Sequence, residues 1–338
     1  MRRTARGFAL VTVLWVLAGL AVVAATVAAS VHSNAQSVKL LRERVAAEQA
    51  FLSTSSRIKV LAFEAAPRPA YLIGLRGLLY LDGRVTDVEE GESVVMQDGY
   101  GLLNLNWPQA TVVRGLLQYC GAAERDVDAL LDALGDYVDA DSLKRLNGAE
   151  APEYRAAGLA PPRNAELLSR EELWRVKGWE ALRTTWVARR CDDLVTVQGR
   201  SGFNQNTAPL PMLLASGMTQ PQADALVDAR NAGLPSLALP GSAAGDNSPF
   251  AAIAAGGGRV SRVFRVRHEM ATLEWALQYE LELTPTRPGG PWRMHELRIV
   301  PPGQPSVAAR AELPSLDYLL PERERNELNA VPTSPFGR

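Results

Sequence analysis

Residues Phe8–Val31 run without a single charged side chain, and this constrains the fold more than anything else in the chain. About 20 helical residues, each rising about 1.5 Å, cross a bilayer core about 30 Å thick. Arg2, Arg3 and Arg6 precede the run and no acidic residue does, which places the N-terminus in the cytoplasm. The chain from His32 onward is then expected to be periplasmic or extracellular. The apolar run does not end in a breaker, because His32 to Glu64 contains neither Gly nor Pro. Val38, Leu41, Val45 and Leu52 recur at spacings of three, four and seven, which is one helix face. Lys39, Arg42, Glu43, Arg44 and Glu48 occupy the rest, and Pro67 and Pro69 stop the pattern. One helix is predicted from Phe8 to about Ala65, half in lipid and half packed through its apolar face. An unrelated stalk helix is the alternative.

The leader adds a second constraint. A secretory signal is cut after its apolar segment, at a small-x-small pattern. Such patterns occur near Ala25 and Ala29, so a Sec cut stays open, as does an uncleaved anchor. Arg6-Gly7-Phe8 instead places a glycine immediately before the apolar run. That arrangement resembles the type III signal of type IV pilins and type II secretion pseudopilins. In those families a membrane peptidase cuts after the glycine and methylates the new N-terminal residue. The resemblance makes Gly7 and Phe8 the processing site.

The 338 residues suffice for one large or two ordinary domains after the anchor. A net charge of −1 leaves no electrostatic footprint for nucleic acid. The two cysteines, Cys120 and Cys191, define no framework. In an oxidising compartment they could pair, and two buried free thiols are the alternative. No catalytic constellation is visible. His32, His268 and His295 lack a HExxH spacing, the cysteines lack zinc-ligand spacing, and no Walker or dinucleotide glycine pattern occurs. An enzyme is not expected.

Strands are predicted at Gly77–Asp82, Ser93–Gln97 and Gly101–Asn106, with Asp82-Gly83 and Asp98-Gly99 as hairpin turns. From Pro108 the pattern turns helical, with candidates at Gln109–Cys120, Glu124–Tyr137, Ser169–Val176, Glu180–Arg190, Leu210–Ser216 and Gln220–Asn231. Ser169-x-x-Glu172 reads as a capping box. The stretches around Gly178 and Gly217 each resemble a helix-hairpin-helix. Residues 233–258 are rich in Gly, Pro, Ser and Ala and read as a loop. In Glu274–Leu283, apolar Trp275, Leu277, Tyr279, Leu281 and Leu283 alternate with Glu274, Gln278, Glu280 and Glu282, the pattern of a half-buried strand with a solvent face. Val260–Met270 and Trp292–Val300 are further strands, the second slipping phase at a bulge near Glu296.

The fold class is α+β: a pilin-like long N-terminal helix packed on an antiparallel sheet, with a large helical, SAM-like or helix-hairpin-helix, domain inserted between strands. The boundaries are 1–7 for a basic leader, 8–66 for the transmembrane and spine helix, and 67–106 for the first part of the sheet. Then come 107–240 for the inserted α-domain, 241–258 for a linker, 259–302 for the second part of the sheet, and 303–338 for a disordered tail.

Several motifs carry a closer resemblance. RGFALVTVLWVLAGL, DGYGLLNLN at 98–106, ALGDYVDADSLKRLNGAEAPEY at 133–154, EELWRVKGW at 171–179 and FNQNTAPLPMLLASGM at 203–218 together resemble the K-class minor pseudopilins of type II secretion. The resemblance implies an inner-membrane, single-pass protein with its C-terminal bulk in the periplasm. It implies a place at the pseudopilus tip and a role in protein secretion across the outer membrane. The implied partners are the H, I and J minor pseudopilins, the major pseudopilin and a prepilin peptidase, with no nucleic acid. Thr12 stands where most pilins carry Glu. A carboxylate in lipid needs a partner, and a tip subunit has no neighbour above it to satisfy. The acidic cluster Asp132, Asp136, Asp139, Asp141 and Glu150, with Asn147, offers oxygen ligands suited to calcium. The resemblance raises that reading, with Asp139, Asp141 and Glu150 foremost; a solvated acidic loop is the alternative. The competing function is a membrane-anchored periplasmic binding module, including a competence-type helix-hairpin-helix protein. Against DNA binding, Lys177 suits one hairpin but Ser216 and Met218 flank the other.

Overall fold

The computed structural model describes residues 6–75, 77–89, 91–232, 259–288, 290–303 and 310–314. Most of the expected leader, the linker and nearly all of the expected tail lie outside them. The chain divides into two compact units, Met1–Ser55 and Ser56–Arg338.

The first unit is helix. Helix α1 spans Arg6–Glu64, and its most apolar window has a mean hydropathy of 2.5 with 0% of it buried. Hydroxyls inside the charge-free run bond to their own backbone. Thr26 Oγ1 donates to the Val23 carbonyl at 2.8 Å and Ser30 Oγ to that of Val27 at 3.2 Å, so neither needs water. Farther along, Arg44 pairs with Glu48 one turn on at 2.9 Å. The apolar face expected to pack is solvent-facing: Val38, Leu41, Val45 and Leu52 are 47, 61, 50 and 62% exposed. The buried positions of the α1 segment that belongs to the second unit are Ile58, Leu61 and Ala62. They keep the three-and-four spacing but on another face.

Among its described residues the second unit holds three sheets. The three-stranded one runs β1 (Ala66–Pro67), β2 (Tyr71–Gly74), β3 (Gly77–Tyr80) in order, all antiparallel. The main sheet uses β4 (Asp82–Glu89), β5 (Glu92–Asp98), β8 (Val263–Met270), β9 (Ala276–Leu283), β10 (Trp292–Val300) and β11 (Ala311–Glu312), in the order β10-β9-β8-β5-β4-β11. β5 pairs antiparallel with β8 from Glu92↔Met270 to Asp98↔Phe264. Strands before and after the helical block therefore form one sheet, as the insertion reading requires. Phe63 stacks edge-on against Trp292 at 6.3 Å, and Arg57 Nε donates to the Pro314 carbonyl at 2.8 Å, which fastens the end of α1 to the sheet and to the strand at its edge.

Between the halves lie β6 (Leu103–Asn104), α2 (Ala110–Tyr119), α3 (Glu124–Val138), α4 (Ala151–Ala156), α5 (Arg183–Ala188), β7 (Val195–Thr196), α6 (Leu210–Ala215) and α7 (Gln220–Asn231). Short 3-10 turns fill Arg170–Arg175 and Trp179–Leu182. Val112, Val113, Leu116, Leu117, Leu134, Met212 and Leu213 form the block's core. At fifteen residues, α3 is the longest helix here, and its apolar positions line one face. α2 and α6 touch backbone to backbone at Gly115, where a Cβ would overlap Ala215.

Four local expectations are corrected. Asp82-Gly83 is not a hairpin; it opens β4, and Gly83, at φ +81°, sits where the register with β5 shifts. Asp98-Gly99 is not one either. Asp98 caps the 3-10 turn Gly99–Gly101, its side chain accepting from Tyr100 N–H at 3.2 Å. Of Gly101–Asn106 only β6 is extended, pairing in parallel with β7. Ser169 makes no capping bond, whereas Thr219 and Gln222 form a capping box on α7. The bulge in β10 is where expected, between His295 and Arg298, with Glu296 at φ 50°.

Candidate functional site

Asp98 shows how the block is tied to the sheet. It is fully buried, and it accepts hydrogen bonds from Ser261 N–H at 2.8 Å, Thr207 Oγ1 at 2.8 Å and Asn204 Nδ2 at 3.1 Å. Burial pushes its carboxyl pKa up in spite of those bonds. A second tie lies on the face of β9 that was expected to meet solvent. Gln278 and Glu280 are 0 and 1% exposed. Glu280 pairs with Arg265 at 2.8 Å and accepts from Thr196 Oγ1 at 2.8 Å. Arg265 also donates to the Asp193 carbonyl at 2.9 Å and to the Val195 carbonyl. Burial raises the Glu280 carboxyl, but Arg265 and Arg170 outweigh it and leave it lowered. Burial, with the like charge of Arg170 beside it, brings the Arg265 guanidinium down to about 10. Arg170 grips Glu296 at the β10 bulge at 2.8 Å. The polar face of the sheet is therefore covered by the helical block through buried ion pairs.

Two aromatic hairpin residues and a disulfide staple the block. Gly178 takes a left-handed φ of 88°, and Trp179 after it is buried, its Nε1 donating to the Leu130 carbonyl at 2.9 Å. Trp179 and Trp186 meet edge-on at 5.6 Å. Cys120 and Cys191 are joined, with Cα atoms 6.2 Å apart.

The acidic loop follows α3. Asp136 is 0% exposed, and both its oxygens accept from the Arg145 N–H at 3.2 Å. Arg145 Nη1 lies 2.7 Å from Asp136 Oδ1 and 2.6 Å from Asp139 Oδ2. Asp141 Oδ1 accepts from Leu143 N–H at 2.8 Å. Asn147 turns to Asp132 instead, donating through its N–H at 3.0 Å and its Nδ2 at 3.2 Å. Glu150 opens α4 in a capping box with Glu153 and is 4% exposed, with Asn164 beside its carboxylate. Asp139 Oδ1 is buried and has no hydrogen-bond partner. Burial first, then the negative charges of Asp136, Asp139 and Asp141, raise the Glu150 carboxyl, and Asn164 offsets part of this. The structure thus joins Asp136 and Asp139 through Arg145, with Glu150 in the field of both carboxylates. Among the described residues no three His, Cys, Asp or Glu side chains converge as a metal-holding group. Sequence reasoning missed Arg145, although its place inside the acidic run was the available signal.

The other sequence-named positions lie elsewhere. Gly7 and Thr12 are on α1, Thr12 on its exposed apolar stretch. His268 pairs with Glu92 at 2.6 Å and His295 with Glu282 at 3.0 Å, each across strands of the main sheet.

The family model described as "Type II secretion system (T2SS), protein K" matches residues 94–188. The match covers a little over a quarter of the chain. It runs from β5 to the last residue of α5, so it contains the acidic loop and both buried tryptophans. The motifs at 98–106, 133–154 and 171–179 fall inside that match, and those at the leader and at 203–218 lie outside it. No curated protein matches the chain. A solved structure described as "The Crystal Structure of the GspK-GspI-GspJ complex from enterotoxigenic Escherichia coli Type 2 Secretion System" is similar at 16% identity, covering 77% of this chain and 98% of that one, with a TM-score of 0.45.

Proposed function

We propose that this chain is the tip subunit of a type II secretion pseudopilus, anchored in the inner membrane with its bulk in the periplasm. The observation that carries the reading is the union, in one chain, of a protein K domain with an uncovered apolar helix that begins at a basic leader. The helix would be cut between Gly7 and Phe8 and methylated. Its exposed stripe of Val38, Leu41, Val45 and Leu52 would pack on neighbouring subunits. Partners of the I and J classes are proposed, with the H class and the major pseudopilin below them. The role is structural: the helical block, tied to the sheet by buried ion pairs, caps the filament and takes part in its assembly.

A divalent cation, calcium by preference, is proposed as a ligand of the acidic loop. The buried Asp139 Oδ1, which has no hydrogen-bond partner, offers a ligand to a hard cation, with Asp136 and Glu150 the further carboxylates that would hold it. The ion would neutralise a cluster that burial otherwise makes costly.

Intact-mass analysis of the chain recovered from membranes tests the central reading. A mature chain beginning at a methylated Phe8 is expected. A chain retaining Met1–Arg6, or one starting beyond Ala25, overturns it.

A further inference from the structure

We propose that Arg68, Arg200, Arg259, Arg262 and Arg287, gathered at one end of the main sheet, form a docking surface for an acidic segment of a partner protein. At this end β5 and β9 finish and β8 and β10 begin. The arginines come from four separate segments: 65–70 before β2, 198–207 between β7 and α6, 259–262 leading into β8, and 284–291 between β9 and β10. Together these segments hold five arginines and no lysine, aspartate or glutamate. The whole chain has a net charge of −1, so the excess is local and does not follow from composition.

Backbone contacts bring the four segments side by side. Val260 N–H donates to the Arg68 carbonyl at 3.0 Å, and Leu283 N–H to that of Arg262 at 2.8 Å. Arg287 N–H returns to the carbonyl of Thr284, the residue after Leu283, at 3.1 Å. A Cβ on Gly199, beside Arg200, would meet the Val263 side chain at 3.2 Å. The buried Asp98 carboxylate then locks three of the four together. It accepts from Asn204 and Thr207 in one segment and from Ser261 in another, while Asn204 Nδ2 also donates to the Pro69 carbonyl at 2.7 Å.

All five arginines are exposed, and none pairs with a carboxylate among the described residues. The carboxylates nearby are engaged: Asp98 by its own donors, and Glu282 by His295 at 3.0 Å. Farther along β8, Arg265 and Arg267 are paired with Glu280 and Asp193 at 2.8 Å each. Like charges held together without counter-charge repel one another, and an arriving set of carboxylates relieves that repulsion. Guanidinium forks take carboxylates in bidentate pairs. Pro67 and Pro69 flank Arg68, and Pro285 and Pro288 bracket Arg287; they stiffen the backbone, so little freedom is lost on docking. A lipid surface is held by basic residues together with inserted apolar ones, and single-stranded nucleic acid by aromatic platforms. No large apolar or aromatic side chain described in these segments is exposed, which favours an acidic polypeptide over both.

Full-length protein in non-ionic detergent micelles is titrated into a short fluorescein-labelled poly-L-glutamate at low salt and binding is read by anisotropy. A labelled oligothymidine of equal charge and phosphatidylglycerol vesicles are run alongside. Wild type is compared with Arg259→Gln, Arg262→Gln and with Arg200→Gln, Arg287→Gln. A control pair, Arg125→Gln, Arg183→Gln, alters exposed arginines of the helical block. Each patch pair is expected to weaken polyglutamate binding about fivefold, the size of two exposed ion pairs, and the control pair to leave it unchanged. Salt should weaken the wild-type complex steeply. Patch variants that bind no more weakly than the control pair overturn the proposal, as does absence of wild-type binding at low salt. Tighter wild-type binding to oligothymidine or to the vesicles also overturns it, in favour of a nucleic acid or a membrane. Circular dichroism checks the fold of each variant, and should one patch pair fail to fold, the other decides.

Discussion

Breaking the Cys120–Cys191 bridge should cost the second unit several kcal/mol. The cysteines are 71 residues apart. The loop-entropy relation for a closure of that length gives about 15 cal/mol/K, or about 4 kcal/mol at 25 °C, as the upper end of what the bridge contributes through the unfolded chain. Both side chains are fully buried in the core of the helical block, so a reductant reaches them only when the block opens. The bridge also closes a loop containing the acidic residues and both buried tryptophans. The assay is urea unfolding of a fragment beginning at His32, with and without reductant, followed by tryptophan fluorescence. Wild type should shift to lower urea with reductant by an amount equivalent to several kcal/mol. A Cys120→Ala, Cys191→Ala double variant should start near the reduced wild type and show no response to reductant. Two free thiols titrated in unfolded, unreduced wild type would refute the reasoning, as would coincident curves with and without reductant.

Two further outcomes follow from burial and charge. Ile58→Asp should destabilise the same fragment by about 3–5 kcal/mol, because it removes a fully buried side chain and buries a charge, whereas Val45→Asp, at a half-exposed site, should change its melting by under about 0.5 kcal/mol yet weaken association of the full chain with cognate I and J subunits; equal melting losses from both would show that the stripe is buried in the isolated protein. Glu150 has a folded pKa above its unfolded value, so its contribution is fully present below about pH 4 and is lost as pH rises through the folded value; in chelator, Glu150→Gln should therefore be more stable than wild type at neutral pH, with the difference vanishing at low pH in thermal melts, and a pH-independent difference would refute this.

How much of this was legible depended on where each element found its partners. The long helix announced itself through a charge-free run and a breaker-free continuation, signals contained within the segment. α2, α3 and α7 were readable for the same reason, since their apolar spacing is local. β4 was missed. DGRVTDVE has only two apolar residues, and its buried side chains include Arg84, which pairs with Asp82 at 2.6 Å, and Thr86. Helix α4 is six residues long and begins Ala-Pro, too short for periodicity to show. The hub at Asp98 showed only its local bond from Tyr100 N–H, because its other side-chain bonds come from residues 106 to 163 positions away.

The spine stripe and the β9 face failed in opposite directions, and one physical cause explains both. Alternation tells which residues share a face but not what covers that face. In α1 the apolar stripe was assigned to the protein's own interior, and it is left open for other subunits in the proposed filament. In β9 the polar row was assigned to water, and it is covered by the chain's own insert. A covered polar row needs charge of the opposite sign in register, and that condition is visible in the strand before it. Arg265 stands opposite Glu280 and Arg267 opposite Gln278 in the β8–β9 ladder. Arg267 also reaches Asp193 at 2.8 Å in the insert. Two arginines at alternate positions facing a glutamate and a glutamine could have been tested as a buried network. The carbonyls that complete it come from Asp192, Asp193 and Val195, 70 to 73 residues upstream of Arg265. Only the fold brings those into range, so the face could be suspected from the sequence but its cover could not.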